Sequence, residues 1–246
     1  MSGTSEAIND GSAKRTLGLI GGMSWESTAI YYRLLNEGVR MRCGGLQSAP
    51  LLVFSPDFAP IAARQAANDW TALELQLGAA GRQLAQSGAE AILVCSNTMH
   101  CLYEQIQAAA GLPVLHIADA TGEALRRAAC NRPALLGTRF TMEGTFYSTR
   151  LKSRFGIDTV VPDAASRAVI HRIIYEELCQ GIVRDDSRRQ YQQIIGALKD
   201  AGADSVILGC TEITMLIAPQ DSVLPVFDTT DIHANAGVSW MLNCLP

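Results

Sequence analysis

GADSVILGCTE, residues 202–212, decides the fold of this chain. Its run Ser205–Leu208 is short, aliphatic and bounded by glycine, as in a buried parallel strand. Ligands of α/β proteins bind beyond the carboxyl ends of such strands, often where a helix begins. Cys210 stands at that point, where backbone N–H groups and a positive helix end are expected to favour its thiolate. Cys210 is therefore the first candidate for chemistry, although many buried cysteines are inert.

A second copy of this stretch lies upstream at Gly88–Thr98, GAEAILVCSNT. Two further blocks match, Leu112–Val114 with Leu224–Val226, and Leu17–Gly22 with Ala134–Thr138. Three matched blocks at a similar offset indicate two similar α/β halves. The ungapped alignment pairs Cys210 with Ser96 and leaves Cys95 on the opposite face of the extended segment, because side chains alternate along a strand.

Strands that alternate with helices predict a mainly parallel sheet in each half. The predicted fold is α/β, with two pseudo-symmetric domains and an active site in the cleft between them. The first domain is predicted to comprise residues 15–117 plus 224–246, and the second residues 118–223. Residues 1–14 are predicted to form a flexible leader.

Composition disfavours several functional classes. The net charge of −4 gives no reason to expect a nucleic acid or an anionic membrane as partner. The chain has no apolar run long enough to span a bilayer, and residues 1–14 lack the apolar core of a signal peptide. The 7 cysteines are scattered and form no CxxC pair, which indicates a reducing cytoplasm and no zinc site.

The turn GGMSWES, residues 21–27, follows the first predicted strand, and Ser24 or Ser27 could cap the next helix. It is a weak cue for anion binding. Because the turn matches neither GxGxxG nor GxxxxGK[ST], it does not indicate a nucleotide cofactor, and a substrate carboxylate would suit it equally well.

Two residues that face one carbon atom from opposite sides can invert a stereocentre. One removes a proton and the other delivers a proton to the far face. The Cα–H of an amino acid is a very weak acid, so its carbanion needs strong electrostatic help. Hydroxyl and amide donors suited to holding the carboxylate are present in Asn97, Thr98, Thr138 and Thr211. Such a site needs neither a metal ion nor pyridoxal phosphate in principle.

The chain resembles the aspartate/glutamate racemase superfamily of cofactor-independent racemases, over essentially all of residues 16–242. It is most similar to the enterobacterial branch of L-aspartate/glutamate-specific racemases. The resemblance implies a two-domain α/β fold, a small amino acid as substrate and a homodimer. We also expect Met23 and Gln65 in the substrate site. The motifs that carry it are GGMSWEST, SNTMH, LHIADAT, LLGTRFTME, IIYEELCQG, GCTEI and LPVFDT.

Members of the family use two cysteines, and this chain departs from that pattern. Ser96 stands where most members have the first cysteine, directly before Asn97-Thr98. The resemblance implies that Cys210 abstracts the proton of the L-enantiomer. Serine is a poor base that could still relay a proton, which predicts that conversion from L to D is much better than the reverse. Cys95 is the alternative partner, if the register slips by one residue.

A second departure concerns the distal carboxylate. Some aspartate racemases hold it with a basic residue in the IYE helix, where this chain has Cys179. Arg64, Gln65 or Arg139 could replace that residue, although both arginines could equally be solvated surface residues.

His100, His116 and His233 are predicted to be structural, because nothing pairs them with a nucleophile. The predicted function is thus racemisation of L-aspartate or L-glutamate through Cys210 and Ser96. Two alternatives remain open: a decarboxylase or cis–trans isomerase of a small dicarboxylic acid with one thiol, and a non-catalytic amino-acid-binding protein.

Overall fold

The computed structural model describes residues 14–244, so all of the predicted leader except Lys14 lies outside the described residues. Within this range the seven strands are β1 (Leu17–Ile20), β2 (Leu51–Phe54), β3 (Ala91–Val94), β4 (Val114–Leu115), β5 (Pro133–Gly137), β6 (Ser205–Gly209) and β7 (Val226–Asp228). Within residues 14–244, no helix combines the length and the apolarity needed to cross a membrane.

Ten α-helices accompany the strands in the described part of the chain. They are α1 (Trp25–Cys43), α2 (Phe58–Ala66), α3 (Trp70–Gln86), α4 (Tyr103–Ala110), α5 (Ile117–Arg127), α6 (Arg139–Glu143), α7 (Thr145–Phe155), α8 (Ala164–Glu176), α9 (Asp185–Asp200) and α10 (Thr229–Met241). Short 3₁₀ helices cover Thr98–Leu102, Leu178–Gln180, Thr211–Met215 and Pro219–Asp221.

The chain divides into two compact units. The first comprises residues 1–93, 104–115 and 234–246, and the second residues 94–103 and 116–233. These limits differ from the predicted domains at residues 94–103, 116–117 and 224–233. The physical reason for the last difference is that β7 pairs with β6 and therefore belongs to the second sheet.

The two sheets share one topology, as the internal repeat predicts. The first has the strand order β2-β1-β3-β4, and the second β5-β6-β7. An isolated parallel bridge from Ala134 to Val160 adds a further segment beside β5, at the place that β2 occupies beside β1. The matched blocks of sequence thus correspond to β1 and β5, β3 and β6, and β4 and β7. The predicted α/β fold with parallel sheets flanked by helices is confirmed.

Hydrophobic layers cover both faces of the second sheet, which is why its strands are apolar except for Ser205 at the start of β6 and Asp228 at the end of β7. Leu136 and Leu208 pack with α8 and α9, whereas Leu135 and Ile207 pack with α5 and α7. The sheet is therefore rigidly supported from both sides, and its carboxyl edge offers a stable base for functional groups.

In the first unit, Ser24 caps α1. The sequence predicted either Ser24 or Ser27 as this cap. The carboxyl-terminal part of α10 packs on the first sheet, where a Cβ on Gly237 would lie 3.0 Å from Leu35 and 3.1 Å from Leu93. Strand β4 ends at Leu115, because His116 already caps α5 through its side chain.

The carboxyl ends of β5 and β6 approach each other unusually closely. Gly137 lies opposite Gly209 in the register of the two strands. A Cβ on Gly137 would lie 2.8 Å from the carbonyl oxygen of Gly209, and a Cβ on Gly209 would lie 2.9 Å from that of Leu136. Only glycine permits this spacing, because the obstructing atoms belong to the backbone.

We predict that Gly137→Ala and Gly209→Ala each destabilise the protein by about 1–3 kcal/mol, since the strands must separate to admit the methyl group. Gly196→Ala is the matched control. Gly196 lies within α9 with open space around its Cα, so alanine should stabilise the helix by about 0.5–1 kcal/mol. Urea denaturation midpoints measure both effects. A midpoint for Gly209→Ala equal to or above that of the wild type would contradict the prediction.

Candidate active site

Three neighbouring strands of the second unit end at one edge of the sheet, and a polar side chain follows each of them. Thr138 follows β5, Cys210 follows β6 and Thr229 follows β7. The strands are parallel, so their carboxyl ends lie together. The segment 94–103, which follows β3, belongs to this same unit and contributes further polar groups.

Cys210 is 8 % exposed and donates a hydrogen bond from its thiol to Glu212 Oε2, with an S–O distance of 2.9 Å. Burial raises the pKa of the Cys210 thiol well above its usual value, and the neighbouring Glu212 carboxylate and Cys179 thiol raise it further. A raised pKa favours the protonated thiol, which the hydrogen bond to Glu212 also requires. The direction of this shift is opposite to the one expected from the sequence.

The difference between the expected and the observed direction of the Cys210 pKa shift has a local cause. The helix after Cys210 is a 3₁₀ helix of five residues, Thr211–Met215, whose dipole is weak. A carboxylate two residues beyond the thiol outweighs it, because a like charge at hydrogen-bonding distance disfavours a second negative charge. The thiol and the carboxylate form a donor–acceptor pair that can exchange one proton.

Asn97 is 4 % exposed, and its amide orientation follows from its hydrogen bonds. Thr229 Oγ1 donates to the carbonyl oxygen of Leu208 at 2.8 Å, which uses the only proton of that hydroxyl. Thr229 can therefore only accept from Asn97, whose Nδ2 lies 2.9 Å away. The amide oxygen Oδ1 is buried and has no hydrogen-bond partner among the described residues. A buried acceptor in this state is able to receive an N–H group of a ligand.

A cluster of three hydroxyl groups lies nearby, and we call Thr98, Thr138 and Thr141 the hydroxyl cluster. The Oγ1 atom of Thr98 lies 2.9 Å from that of Thr138 and 3.0 Å from that of Thr141. Thr138 also caps α6. Thr141 is fully buried, whereas Thr98 and Thr138 retain slight exposure. The cluster joins the segment after β3 to the end of β5.

Ser96 and Cys95 differ sharply in their surroundings. Cys95 is fully buried, and burial raises the pKa of its thiol far above the usual value. Ser96 is partly exposed, and its hydroxyl accepts a 3.4 Å hydrogen bond from the backbone N–H of Met99. The alternation of faces expected from the sequence agrees with this difference.

The remaining predicted residues are placed as follows. Thr211 is buried in the second unit beside Cys210. Met23 and Gln65 belong to the first unit, and both are buried. The oxygen Oε1 of Gln65 has no hydrogen-bond partner among residues 14–244.

Sequence reasoning missed three polar residues that hold the site together: Glu212, Thr141 and Thr229. Glu212 stands within the quoted GCTEI motif, Thr141 within LLGTRFTME and Thr229 at the end of LPVFDT. The signal that could have found them is their position within four residues of the end of a strand. Threonine at such a place is more often a helix cap, so its type alone does not reveal a role.

All seven cysteines are free thiols. Among residues 14–244, no group of three or more His, Cys, Asp or Glu side chains is arranged to hold a metal ion.

Comparisons with known proteins identify the family. A family model described as Asp/Glu/hydantoin racemase matches residues 20–237. The crystal structure of a candidate Asp/Glu racemase from Yersinia pestis is similar with a TM-score of 0.86 and 48 % identity, over 93 % of this chain and 99 % of that one. An aspartate racemase homologue from Pyrococcus horikoshii OT3 gives a TM-score of 0.80 and 30 % identity, over 93 % and 99 %.

The broad-specificity amino-acid racemase RacX of Bacillus subtilis (strain 168) is 27 % identical over 163 residues, which is 65 % of this chain and 68 % of that protein. The chain belongs to the Asp/Glu/hydantoin racemase family. Its class is that of an isomerase, an amino-acid racemase. The resemblance found in the sequence is confirmed.

We predict that Glu212→Gln accelerates alkylation of Cys210 by iodoacetamide at pH 7.5. Removal of the carboxylate charge lowers the thiol pKa, and each unit of decrease gives about tenfold more thiolate. Rates are measured by mass spectrometry of the Cys210 peptide, with Cys43 and Cys244 as internal references. Glu104→Gln, an exposed substitution, is the matched control and should change nothing. Slower alkylation in Glu212→Gln would show that the carboxylate does not hold the thiol protonated.

Proposed function

We propose that the chain racemises L-aspartate or L-glutamate without a cofactor, with Cys210 acting on one face of Cα and Ser96 on the other. The observation that carries this proposal is the hydrogen bond from the Cys210 thiol to Glu212. A thiol can serve as a base only after it loses its proton, and the carboxylate is a proton acceptor already in contact with it.

The charge of the substrate drives the first step. An α-ammonium group near Cys210 favours the thiolate, because an opposite charge lowers a thiol pKa. The thiol proton passes to Glu212, and the thiolate then takes the α-proton of the L-enantiomer. Cys210 is again a thiol at this stage, Glu212 is protonated, and the substrate is a carbanion.

The Asn97 amide supports the placing of the ammonium group. Its unpaired oxygen is a buried acceptor, and an ammonium N–H donor satisfies it. The opposite end of the amide is fixed by Thr229, so the oxygen cannot turn away without breaking that bond. Its burial makes the unpaired state costly, which favours a ligand that carries a donor over one that does not.

The hydroxyl cluster supports the placing of the α-carboxylate. A hydroxyl of Thr98 or Thr138 that turns its proton outward can donate to a carboxylate while it still accepts from its neighbour. Thr211 is a further donor, at the end of β6 beside the thiol. Such donors stabilise the negative charge that moves towards the carboxylate when the α-proton leaves.

Ser96 completes the reaction. Its hydroxyl donates a proton to the far face of the carbanion, which gives the D-enantiomer and a serine alkoxide. The alkoxide regains a proton from solvent, and Glu212 releases the proton that it took from the thiol, so the enzyme returns to its initial state. A hydroxyl delivers a proton to a strong base far more readily than it removes one from carbon.

The predicted asymmetry is limited by thermodynamics. The two enantiomers have the same free energy in solution, so kcat/KM must be equal in the two directions. A preference for conversion of L to D can therefore appear only as a larger kcat at saturation, accompanied by a KM larger by the same factor.

Arg139 is our proposed contact for the distal carboxylate. It begins α6 directly after Thr138, it is exposed, and its guanidinium lies 5.3 Å from the centroid of the Phe140 ring. It forms no ion pair with any residue in the described part of the chain. Arg64, the alternative, is hydrogen-bonded to Gln76.

The electrostatics of Tyr175 support the choice of Arg139. Burial and the neighbouring Cys210 raise the pKa of the Tyr175 hydroxyl, whereas Arg139 lowers it. Tyr175 therefore lies within electrostatic reach of both residues. We further propose Met23 and Gln65 as substrate contacts, and a cytoplasmic homodimer as the working form.

Proton NMR of L-glutamate and L-aspartate in deuterated buffer, with chiral chromatography of the products, tests the proposed function. The wild type should exchange the α-proton and form D-product, and Cys210→Ala should do neither. Ser96→Ala should retain exchange from the L-enantiomer but lose D-product. Cys95→Ala, the matched control, should behave as the wild type within about threefold.

Other outcomes would contradict this proposal. Loss of D-product in Cys95→Ala but not in Ser96→Ala would assign the second role to Cys95. Carbon dioxide release from a small dicarboxylic acid, without racemisation, would favour the decarboxylase. Binding of an amino acid without α-exchange would favour the non-catalytic binding protein.

Arg139→Gln should raise KM for L-aspartate and L-glutamate by about 10-fold or more, because a charge-assisted hydrogen bond to the distal carboxylate is lost. Racemisation of L-alanine, followed by the same proton NMR and chiral chromatography, should change little. Arg189→Gln is the control, since Arg189 is exposed and paired with Asp186 on α9. Equal losses for acidic and neutral substrates would exclude Arg139 as the distal contact.

A further inference from the structure

Ser96 follows β3, where the strand ladder no longer fixes the backbone, and a side chain takes over that task. The Nδ1 atom of His100 lies 2.7 Å from the carbonyl oxygen of Ser96. This contact closes the turn from Ser96 to His100, in which the backbone N–H of His100 also donates to the carbonyl of Asn97 at 3.2 Å. The peptide plane after Ser96 is thereby fixed.

The hydrogen bond determines the tautomer of His100. A carbonyl oxygen only accepts, so Nδ1 must carry the proton. The imidazole thus acts as a backbone-like donor, at a point where the 3₁₀ helix Thr98–Leu102 has no side-chain cap of its own.

The His100 ring is held firmly by its neighbours. It is 2 % exposed, with ring centroids 4.8 Å from His116 and 5.4 Å from His233. His116 accepts from the backbone N–H of Ala118 through Nδ1, so its own orientation is fixed by the start of α5. All three rings belong to the second unit, and each is at least nine-tenths buried.

Burial and nearby charges keep the His116 ring neutral. Arg150 lies over the Tyr103 ring at 4.7 Å, and that ring packs on His116. Burial lowers the pKa of His116, and His100 and Arg150 lower it further. A neutral His116 places no charge beside the His100 ring that donates to the Ser96 carbonyl.

We propose that His100 is a positioning residue for Ser96: its bond to the Ser96 carbonyl fixes the direction in which the Ser96 hydroxyl points. The proposal rests on the proposed function, in which that hydroxyl delivers the second proton. In this proposal His100 affects only the half of the reaction in which Ser96 delivers a proton to the carbanion. A histidine that merely fills the core would affect both halves equally.

Two variants separate the donor from the ring. His100→Phe keeps an aromatic ring of similar size between His116 and His233 but has no donor. His100→Asn keeps an N–H donor near the position of Nδ1 but loses the ring. If positioning by the hydrogen bond is what matters, His100→Asn should resemble the wild type more closely than His100→Phe.

The measured quantity is the ratio of D-product formation to α-proton exchange, starting from L-glutamate in deuterated buffer. His100→Phe should reduce this ratio by about 10- to 100-fold, because a small displacement of a proton donor has a large effect on its rate of delivery. Exchange through Cys210 should stay close to the wild-type rate. A parallel loss of both rates in the two variants would assign His100 a structural role and overturn the proposal, as would an unchanged ratio in His100→Phe.

A second measurement does not depend on activity. In the Ser96→Cys background, the alkylation rate of the new thiol measures the accessibility and orientation of the side chain at position 96. Addition of His100→Phe should change the alkylation rate at least severalfold, whereas addition of His100→Asn should leave it nearly unchanged. If the wild type neither exchanges nor racemises any substrate, the proposed function fails, and this labelling experiment still decides whether His100 positions residue 96. Equal labelling rates in the three proteins would overturn the positioning role.

Discussion

The close approach of Gly137 and Gly209 is the constraint on which the candidate site depends. These two residues end neighbouring parallel strands, and each would place a Cβ within 2.9 Å of a backbone oxygen on the other strand. Thr138 and Cys210 follow directly, so the spacing of the glycines sets how near a hydroxyl donor lies to the thiol. The hydrophobic layers on both faces of the sheet then keep this arrangement fixed.

The balance of charge at Cys210 determines when the site becomes reactive. Burial and the Glu212 carboxylate hold the thiol in its protonated form, and a protonated thiol is weakly nucleophilic. In the proposed mechanism, the positively charged ammonium group of the substrate shifts that balance towards the thiolate, and the same group satisfies the buried oxygen of Asn97. Selectivity for an amino acid and activation of the base would then have one physical origin.

The sequence was sufficient for the fold and for part of the site. The repeat of Gly88–Thr98 in Gly202–Glu212 predicted two sheets of equal topology, because a buried strand that ends in a polar turn has a distinctive pattern. It could not reveal the state of the Cys210 thiol. Protonation of the thiol depends on its burial and on whether the helix dipole or the Glu212 carboxylate has the larger effect on its pKa. The contact from Thr229 to Asn97 was equally hidden, since it joins residues 132 positions apart.

The two halves repeat the topology but not the chemistry, and the difference lies two residues beyond the reactive position. In the aligned repeat, Glu212 corresponds to Thr98. Glu212 accepts from the thiol of Cys210, whereas Thr98 turns its hydroxyl to Thr138 and Thr141. A base needs an acceptor for its own proton, and a proton donor does not. Ser96 therefore differs from Cys210 in two respects: it carries a hydroxyl instead of a thiol, and it has no carboxylate two residues further along the chain. Both differences suit Ser96 to the proton-donating role proposed for it.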